Sequence, residues 1–587
     1  MKTTNYLPGP SLSISSLFAL GIGLLLLFSL QHCSQPEEGD WMEPEKEVSA
    51  DELMIVSSHP LAVEAGLEVY RLGGNAFDAA VAVQFALAVV YPRAGNLGGG
   101  GFAILRNEEG EVFAQDHREV APEAAYREMY LDTLGNPVEG LSQRGHLSSG
   151  VPGTVAGLIE IREKFGEISS LRTILEPAIR YAREGYRISA TEAERLNNYS
   201  PDFVELNTPN NSFTEKEKWS EGDLLVQTDL AKTLEEIAER GVDGFYSGWV
   251  ADSLVAEMQR GGGIISRDDL QNYTTEWRTP ITFDFGDFTV HSMPPPSSGG
   301  VLLQQMFHLA EKGDICCEGY WDLESAHHLI EASRLGFALR ADHLGDPESM
   351  LLPVEQLTSA KRLDSLWQLF DPGAAGDGLL YIEEDFTLPE AYETTHTSIA
   401  DARGNAISLT TTLNSNFGSK VVVGGAGFFM NNEMDDFSIL PGVPNQFGLL
   451  GSEVNAIYPG RRMLSSMSPT IVEKNGDFYM AIGTPGGPTI ISAVFQVLLR
   501  DFLFDVDMRE NIAAPRFHQQ AFPEATLIEK GTFKTRVLEE LEAMGHKMDT
   551  IERMAVVKVV KKIEEGILQG VGDERNPDDH AAGISTD

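Results

Sequence analysis

The chain has 587 residues, 42% of them hydrophobic, which is ample for a large core, and a formal net charge of −44 from 88 acidic and 44 basic residues. That charge disfavours nucleic-acid binding and adhesion to anionic lipid, and it repels anionic small molecules unless local cations hold them. Three cysteines, Cys33, Cys316 and Cys317, give neither a disulfide framework nor a metal spacing, and no H-E-x-x-H occurs, so neither cofactor nor metal is implied.

The first 33 residues read as an export signal: Lys2 in a polar start, an apolar stretch Leu17–Leu30, then Gln31-His32-Cys33. A Cys just after the apolar stretch suits a bacterial lipoprotein signal, with Cys33 the candidate for lipidation. His32 departs from the small residue such signals carry there, which leaves a plain secretory signal or an uncleaved anchor as alternatives. The expected location is periplasmic or cell-envelope associated. Residues 34–50 are acidic and contain Pro, and read as a disordered tether.

Next, Asn75–Val90 predicts a helix with Asn75 as N-cap and Asp78 three residues on. It is apolar on nearly every side and so buried, and too short for a membrane span. The run Gly98–Gly101 lacks the Lys-Ser/Thr ending of a P-loop and reads as close backbone packing. Arg118, in DHREVAP (116–122), reads on its own as a surface ion pair with Asp116 or Glu119. Pro294–Pro296 predicts a rigid bend.

The most informative stretch is Glu393-Thr394-Thr395-His396. A threonine hydroxyl is a weak nucleophile that can be activated by its own freed α-amine, which requires backbone cleavage just before it. The turn formers Asp401–Asn405 predict a hairpin that sets Thr394 opposite Thr412, with Asn414 one step beyond on the same face. Ser408, Thr410 and Thr412 then share a polar face ending at Thr394, which reads as the floor of an active site or, more plainly, as a solvated sheet surface. Gly424–Phe437 predicts a short apolar strand running into Glu433, Asp435 and Asp436, which would hold an ammonium group or form a solvated acidic turn. A Pro/Gly-rich loop, Pro441–Pro459, has lid-like length. Ser465 and Ser466 offer adjacent hydroxyls for a carboxylate. Gly486-Gly487, before the helical run Thr489–Leu499, suits an oxyanion, though a simple glycine turn remains open.

Together these motifs resemble the γ-glutamyltransferase family of N-terminal-nucleophile hydrolases from about Met54 to Gly583. GGNAFDAAVAV (73–83), AGNLGGGGF (94–102), SMPPPSSGG (292–300), TTHTS (394–398), TLNSNFGS (412–419), NNEMDDF (431–437), RRMLSSMSPT (461–470) and GTPGGP (483–488) occur in the family's order. The resemblance implies an α+β fold, a four-layer αββα sandwich. It also implies self-cleavage at Glu393–Thr394 into a large subunit (51–393) and a small one (394–587) that remain a heterodimer. By motif position, Thr394 would be the nucleophile, assisted by Thr412. Gly486 and Gly487 would form the oxyanion hole. Arg118, Ser465 and Ser466 would bind the α-carboxylate of a γ-glutamyl group, and Asn414, Glu433 and Asp436 its α-ammonium. Partners would be glutathione and other γ-glutamyl compounds, amino-acid or dipeptide acceptors, and water. Glu433 stands where many bacterial relatives have Gln, and Phe447 stands where relatives often have a hydroxylated or larger aromatic in the lid. Two rivals remain: a cephalosporin-type acylase on the same scaffold, and a non-catalytic surface lipoprotein. No G-x-S-x-G supports a serine hydrolase.

Overall fold

The computed structural model describes residues 1, 3–5, 43–209, 211–316, 321–376 and 394–586. Residues 44 onward form one compact unit. Cys33, Glu393 and most of the proposed signal lie outside the described residues.

Two seven-stranded antiparallel sheets organise the molecule. The first runs, in spatial order, Glu47–Ala50, Ile567–Gly572, Lys558–Glu564, Asp477–Gly483, Thr470–Lys474, Phe288–Ser292, Ile281–Phe285. The second runs His580–Ile584, Leu53–Ser57, Thr394–Asp401, Ala406–Thr412, Gly100–Arg106, Val112–Asp116, Glu276–Arg278. Both sheets combine strands from before and after residue 394, so the two proposed subunits share one fold.

Period-two alternation builds the layers. From the second sheet, Leu53, Ile55, Ala103, Leu105, Ile399 and Leu409 turn outward into a core with the helices Pro60–Arg71, Ala76–Val90 and Leu171–Glu184. Their alternates Met54, Val56, Phe102, Ile104 and Ala400 turn inward and meet Ile471, Ala481, Val560 and Leu568 of the first sheet. The other face of the first sheet, with Val290, Val472, Met480, Ile482 and Val559, packs on Gly299–Ala310, Leu323–His343 and Thr489–Phe504. The result is the expected αββα sandwich.

The helix Ala76–Val90 has every residue buried, and Asn75 and Asp78 form a reciprocal capping box. Among the described residues no helix is long and apolar enough to cross a membrane. Three expectations change. Glu47–Ala50 is an edge strand, in register from Glu47 opposite Val571 to Ala50 opposite Leu568, so the folded unit begins before residue 50, inside the range read as a tether. The helix after Gly486-Gly487 continues to Phe504. The stretch from Gly424 makes only isolated bridges, Val422 with Phe429 and Gly98 with Met430, because its glycines break a continuous ladder.

Candidate functional site

The hairpin register is the expected one: Thr394 pairs with Thr412, Ser398 with Ser408 and Ala400 with Ala406. Thr394 lies at the start of its strand, largely buried, with Oγ1 3.4 Å from Thr412 Oγ1. Thr412 Oγ1 in turn accepts from the Asn414 amide at 2.8 Å. Asn414 sits at φ 75°, a left-handed conformation that Asn tolerates better than most residues, and its Nδ2 donates to Asn432 O at 3.1 Å.

Most of the polar face behind Thr394 serves a different purpose from the expected floor. Ser408 Oγ donates to Ile482 O at 2.9 Å and accepts from the Thr470 amide at 2.9 Å, while His396 Nδ1 and Thr410 Oγ1 lie 2.8 Å apart. These groups face the other sheet, not a cleft: the Ser408 bonds tie the two sheets together, while the His396–Thr410 contact joins neighbouring strands of one sheet. Only the Thr394–Thr412–Asn414 end opens to the site.

Close backbone approach fixes that end. A Cβ on Gly99 would lie 2.1 Å from Thr412 O, and one on Gly101 2.4 Å from Thr410 O. Asn96 completes the junction, donating to Thr412 O at 2.9 Å and accepting from the Gly99 amide at 2.9 Å.

Arg118 is fully buried, not a surface residue. Asp116 accepts from its amide at 2.9 Å and is itself held by Arg278 and Arg462, while Tyr273 donates to Arg118 O at 2.9 Å. The backbone is therefore clamped, and the guanidinium projects to three carboxyls. Nη1 donates to Glu433, Nη2 donates to Asp436 Oδ2 at 2.6 Å, and Glu119 lies 3.6 Å from Nη1. Glu433 and Asp436 belong to a buried 3-10 turn, Glu433–Asp436, so the acidic segment is not a solvated turn. Asp435, its third acid, points elsewhere: it accepts from Ser142 Oγ at 2.5 Å and from the Gln446 amide at 3.1 Å, which anchors the loop above.

Burial pushes all three carboxyls around Arg118 upward, against the pull of its charge: Glu119 to about 7, Glu433 well above the ordinary range, and Asp436 above it. Burial works against the Arg118 charge too, but Glu433, Glu119 and Asp436 outweigh it and raise its pKa. One guanidinium thus faces three carboxyls, a surplus of acid.

Ser465 and Ser466 enter from a segment docked on the Pro-rich bend. The Ser465 amide donates to Pro296 O at 2.8 Å, and Ser298 donates through its amide and its hydroxyl to Ser465 O. Arg340, which sequence reasoning missed, reaches the same place. It is buried, donates to Ser298 Oγ at 3.1 Å and Ser466 Oγ at 3.4 Å, and burial lowers its pKa to about 10. Its only signal was a cation within a helix, which a long side chain ordinarily carries on its solvent face.

Arg118, Arg340, Thr394, Thr412, Asn414, Glu433, Asp436, Ser465, Ser466 and Gly487 line one cleft, with Phe447 over it; Gly486 adjoins Gly487. Gly486 and Gly487 have φ of 143° and 54°, a turn that L side chains rarely adopt, and their carbonyls accept from the Thr489 and Ile490 amides at the helix start. The lid segment is held without a Phe447 hydroxyl: Asn445 Nδ2 donates to Asp436 Oδ1 at 3.4 Å, Ser415 Oγ to Gln446 Oε1 at 2.9 Å, and Gln520 Nε2 to Phe447 O at 3.3 Å. The cleft holds about 30 Å³ of free space, roughly one water, because Arg118 spans it to Glu433 and Asp436. Larger clefts, of about 520 and 570 Å³, contain neither Thr394 nor Arg118, so chemistry rather than size selects the small one.

The sequence model of gamma-glutamyltranspeptidase matches residues 62–583. The chain belongs to the gamma-glutamyltranspeptidase family. It is 40% identical over 542 residues to the glutathione hydrolase proenzyme of Escherichia coli, covering 91% of this chain and 92% of that protein. It is 44% identical over 501 residues to the glutathione hydrolase proenzyme of Pseudomonas aeruginosa, covering 84% and 88%. In structure it resembles the cephalosporin acylase of Bacillus halodurans, with TM-score 0.80, 26% identity and coverage of 94% and 100%. It also resembles Helicobacter pylori gamma-glutamyltranspeptidase, with TM-score 0.52, 41% identity and coverage of 55% and 92%.

Proposed function

We propose that this chain is an exported, self-processing γ-glutamyltransferase and glutathione hydrolase. Hydrolysis of Glu393–Thr394 leaves a carboxylate on Glu393 and a free α-amine on Thr394, in line with the proenzyme relatives. With a pKa of about 8, that amine serves as general base at mild pH. It takes the Thr394 hydroxyl proton as Oγ1 attacks the γ-carbonyl, and Thr412 supports the hydroxyl. The Gly486 and Gly487 N–H groups stabilise the oxyanion. The leaving amine takes the proton and departs, and a γ-glutamyl-Thr394 ester remains. Water, or the amine of an amino acid or dipeptide, then attacks the ester and regenerates the hydroxyl.

The observation that carries this reading is Arg118 paired with Glu433 and Asp436 beside Thr394. An α-amino acid inserts between them: its carboxylate takes Arg118 with Ser465 and Ser466, and its ammonium takes Asn414, Glu433 and Asp436. Arg118 exchanges its acidic partners for the substrate carboxylate, and the ammonium brings a positive charge to the acids it leaves. The N-terminal segment supports export to the periplasm or cell envelope, with Cys33 the candidate for lipidation.

The structural likeness to a cephalosporin acylase favours a second reading, cleavage of other amides. A γ-glutamyl anilide and the matched glutaryl anilide, which lacks the α-amine, separate the two. The glutaryl compound should be cleaved with kcat/KM lower by about 10² or more, because its binding leaves buried carboxylates uncompensated. Equal turnover of both would overturn the γ-glutamyl assignment.

A further inference from the structure

His327, Glu331 and His546 form a buried cluster whose ligand atoms all lie within 4.8 Å of one another. None of them touches the cleft around Thr394. His327 and Glu331 are four residues apart on the helix Leu323–His343 and share a face, while His546 comes from a loop 219 residues beyond His327.

The hydrogen bonds fix where the lone pairs point. His327 Nε2 lies 2.8 Å from the Asp371 carbonyl oxygen, which can only accept, so Nε2 carries the proton. In the neutral ring Nδ1 is then a bare acceptor, and it faces His546 Nε2 at 2.8 Å. His546 Nε2 must therefore donate, leaving His546 Nδ1 as a second bare lone pair. That atom is buried, has no hydrogen-bond partner, and faces Glu331 Oε1 at 3.8 Å. Two acceptors pointed at each other in a dry interior repel unless a proton or cation lies between or beside them.

We propose that this cluster is a site for a first-row transition-metal dication such as Zn²⁺ or Co²⁺, distinct from the γ-glutamyl cleft. Two imidazoles and a carboxylate are a donor set for such ions, and a carbonyl accepting from the outer nitrogen of a ligating His is the usual support for its orientation. The metal replaces the proton between the rings. It binds His327 Nδ1 and His546 Nε2, and the displaced proton moves to His546 Nδ1, facing Glu331. A Glu331 oxygen and a water complete four-coordination. Ligand atoms in a tetrahedral site lie about 3.3 Å apart, so the two rings open slightly and the carboxylate closes in. A cavity of about 200 Å³ lined by Glu331, Arg334, Trp367 and Phe370 gives a route for the ion. Arg334, which donates to Glu331 Oε1 at 3.2 Å, opposes a cation and makes the site weaker than an all-neutral surround would allow. No sequence spacing announced it, because one ligand is remote from the other two.

The placement has a consequence if the chain is cut before Thr394. His327 and Glu331 then belong to one polypeptide and His546 to the other, so the ion would staple the subunits after processing.

Purified protein stripped with chelator and dialysed against CoCl₂ tests the site. One equivalent of retained Co²⁺ with visible d–d absorption, displaced by Zn²⁺, is expected in the wild type. His327→Gln and His546→Gln should abolish the absorption while keeping γ-glutamyl anilide turnover, since neither residue reaches the cleft. No visible absorption in the wild type would overturn the proposal. So would equal metal retention in both variants, which would assign binding to the acidic surface.

Discussion

At the scale of single residues, Arg118 works because its side chain has nowhere else to go. Its backbone is clamped through Asp116 and Tyr273, and its two terminal nitrogens are aimed at two different acids. A lysine would keep the charge but not the fork, so in the proposed role it could not hold a substrate carboxylate with the same geometry. Arg118→Lys should raise KM for a γ-glutamyl anilide about tenfold with kcat within about threefold, the pattern of lost ground-state binding. An unchanged KM would contradict the carboxylate assignment. The sequence made Thr394, Thr412 and Asn414 legible, because hairpin register is a local property of turn residues and strand alternation. It hid Arg340 and the burial of Glu433, because both depend on a helix, a 3-10 turn and a serine segment meeting across hundreds of residues.

At the scale of elements, tight packing carries ionisable groups into places where their charge is unwelcome. Glu192 lies in the first turn of the helix Ala190–Leu206, capped by Ser189. Its carboxyl accepts from Tyr186 Oη, and burial raises its pKa to about 8. The folded state therefore holds this proton up to about pH 8, whereas the unfolded chain releases it near the ordinary glutamate value of about 4.3. Stability from this group is full below that lower value and is lost as pH rises towards 8. Glu192→Gln should remove this slope, so that the Tm of the variant gains on wild type between pH 5 and pH 8 and holds that gain above it. A Tm difference independent of pH would show that Glu192 does not titrate as described. The helix Ala76–Val90 was legible to its cap, since Asn75 and Asp78 act within one turn. The strand Glu47–Ala50 was not: its acidic composition resembles a tether, and only pairing with Ile567–Gly572, distant in sequence, makes it a strand.

At the scale of the whole molecule, a formal charge of −44 surrounds a site that must admit a γ-glutamyl donor. A donor with net negative charge, such as glutathione, is repelled on approach, and the buried cations Arg118 and Arg340 act only at short range. Salt screens the long-range part and leaves the buried contacts largely intact. Raising ionic strength from about 0.01 to about 0.15 M, which shortens the Debye length from about 30 to about 8 Å, should increase kcat/KM for glutathione more than for a γ-glutamyl anilide of lower net charge. An equal response of both donors would remove the bulk field from the account. The αββα architecture was legible through the family's ordered motifs rather than through composition.

The central claim is that Thr394 becomes both N-terminus and nucleophile, and the chain masses of freshly purified protein, with N-terminal sequencing of the smaller chain, test it most directly. Wild type should give a small chain beginning Thr-Thr-His-Thr-Ser, and Thr394→Ala a single uncut chain without γ-glutamyl activity. A wild-type chain that stays intact on prolonged incubation, or an uncut Thr394→Ala variant that still turns over the donor, would contradict it.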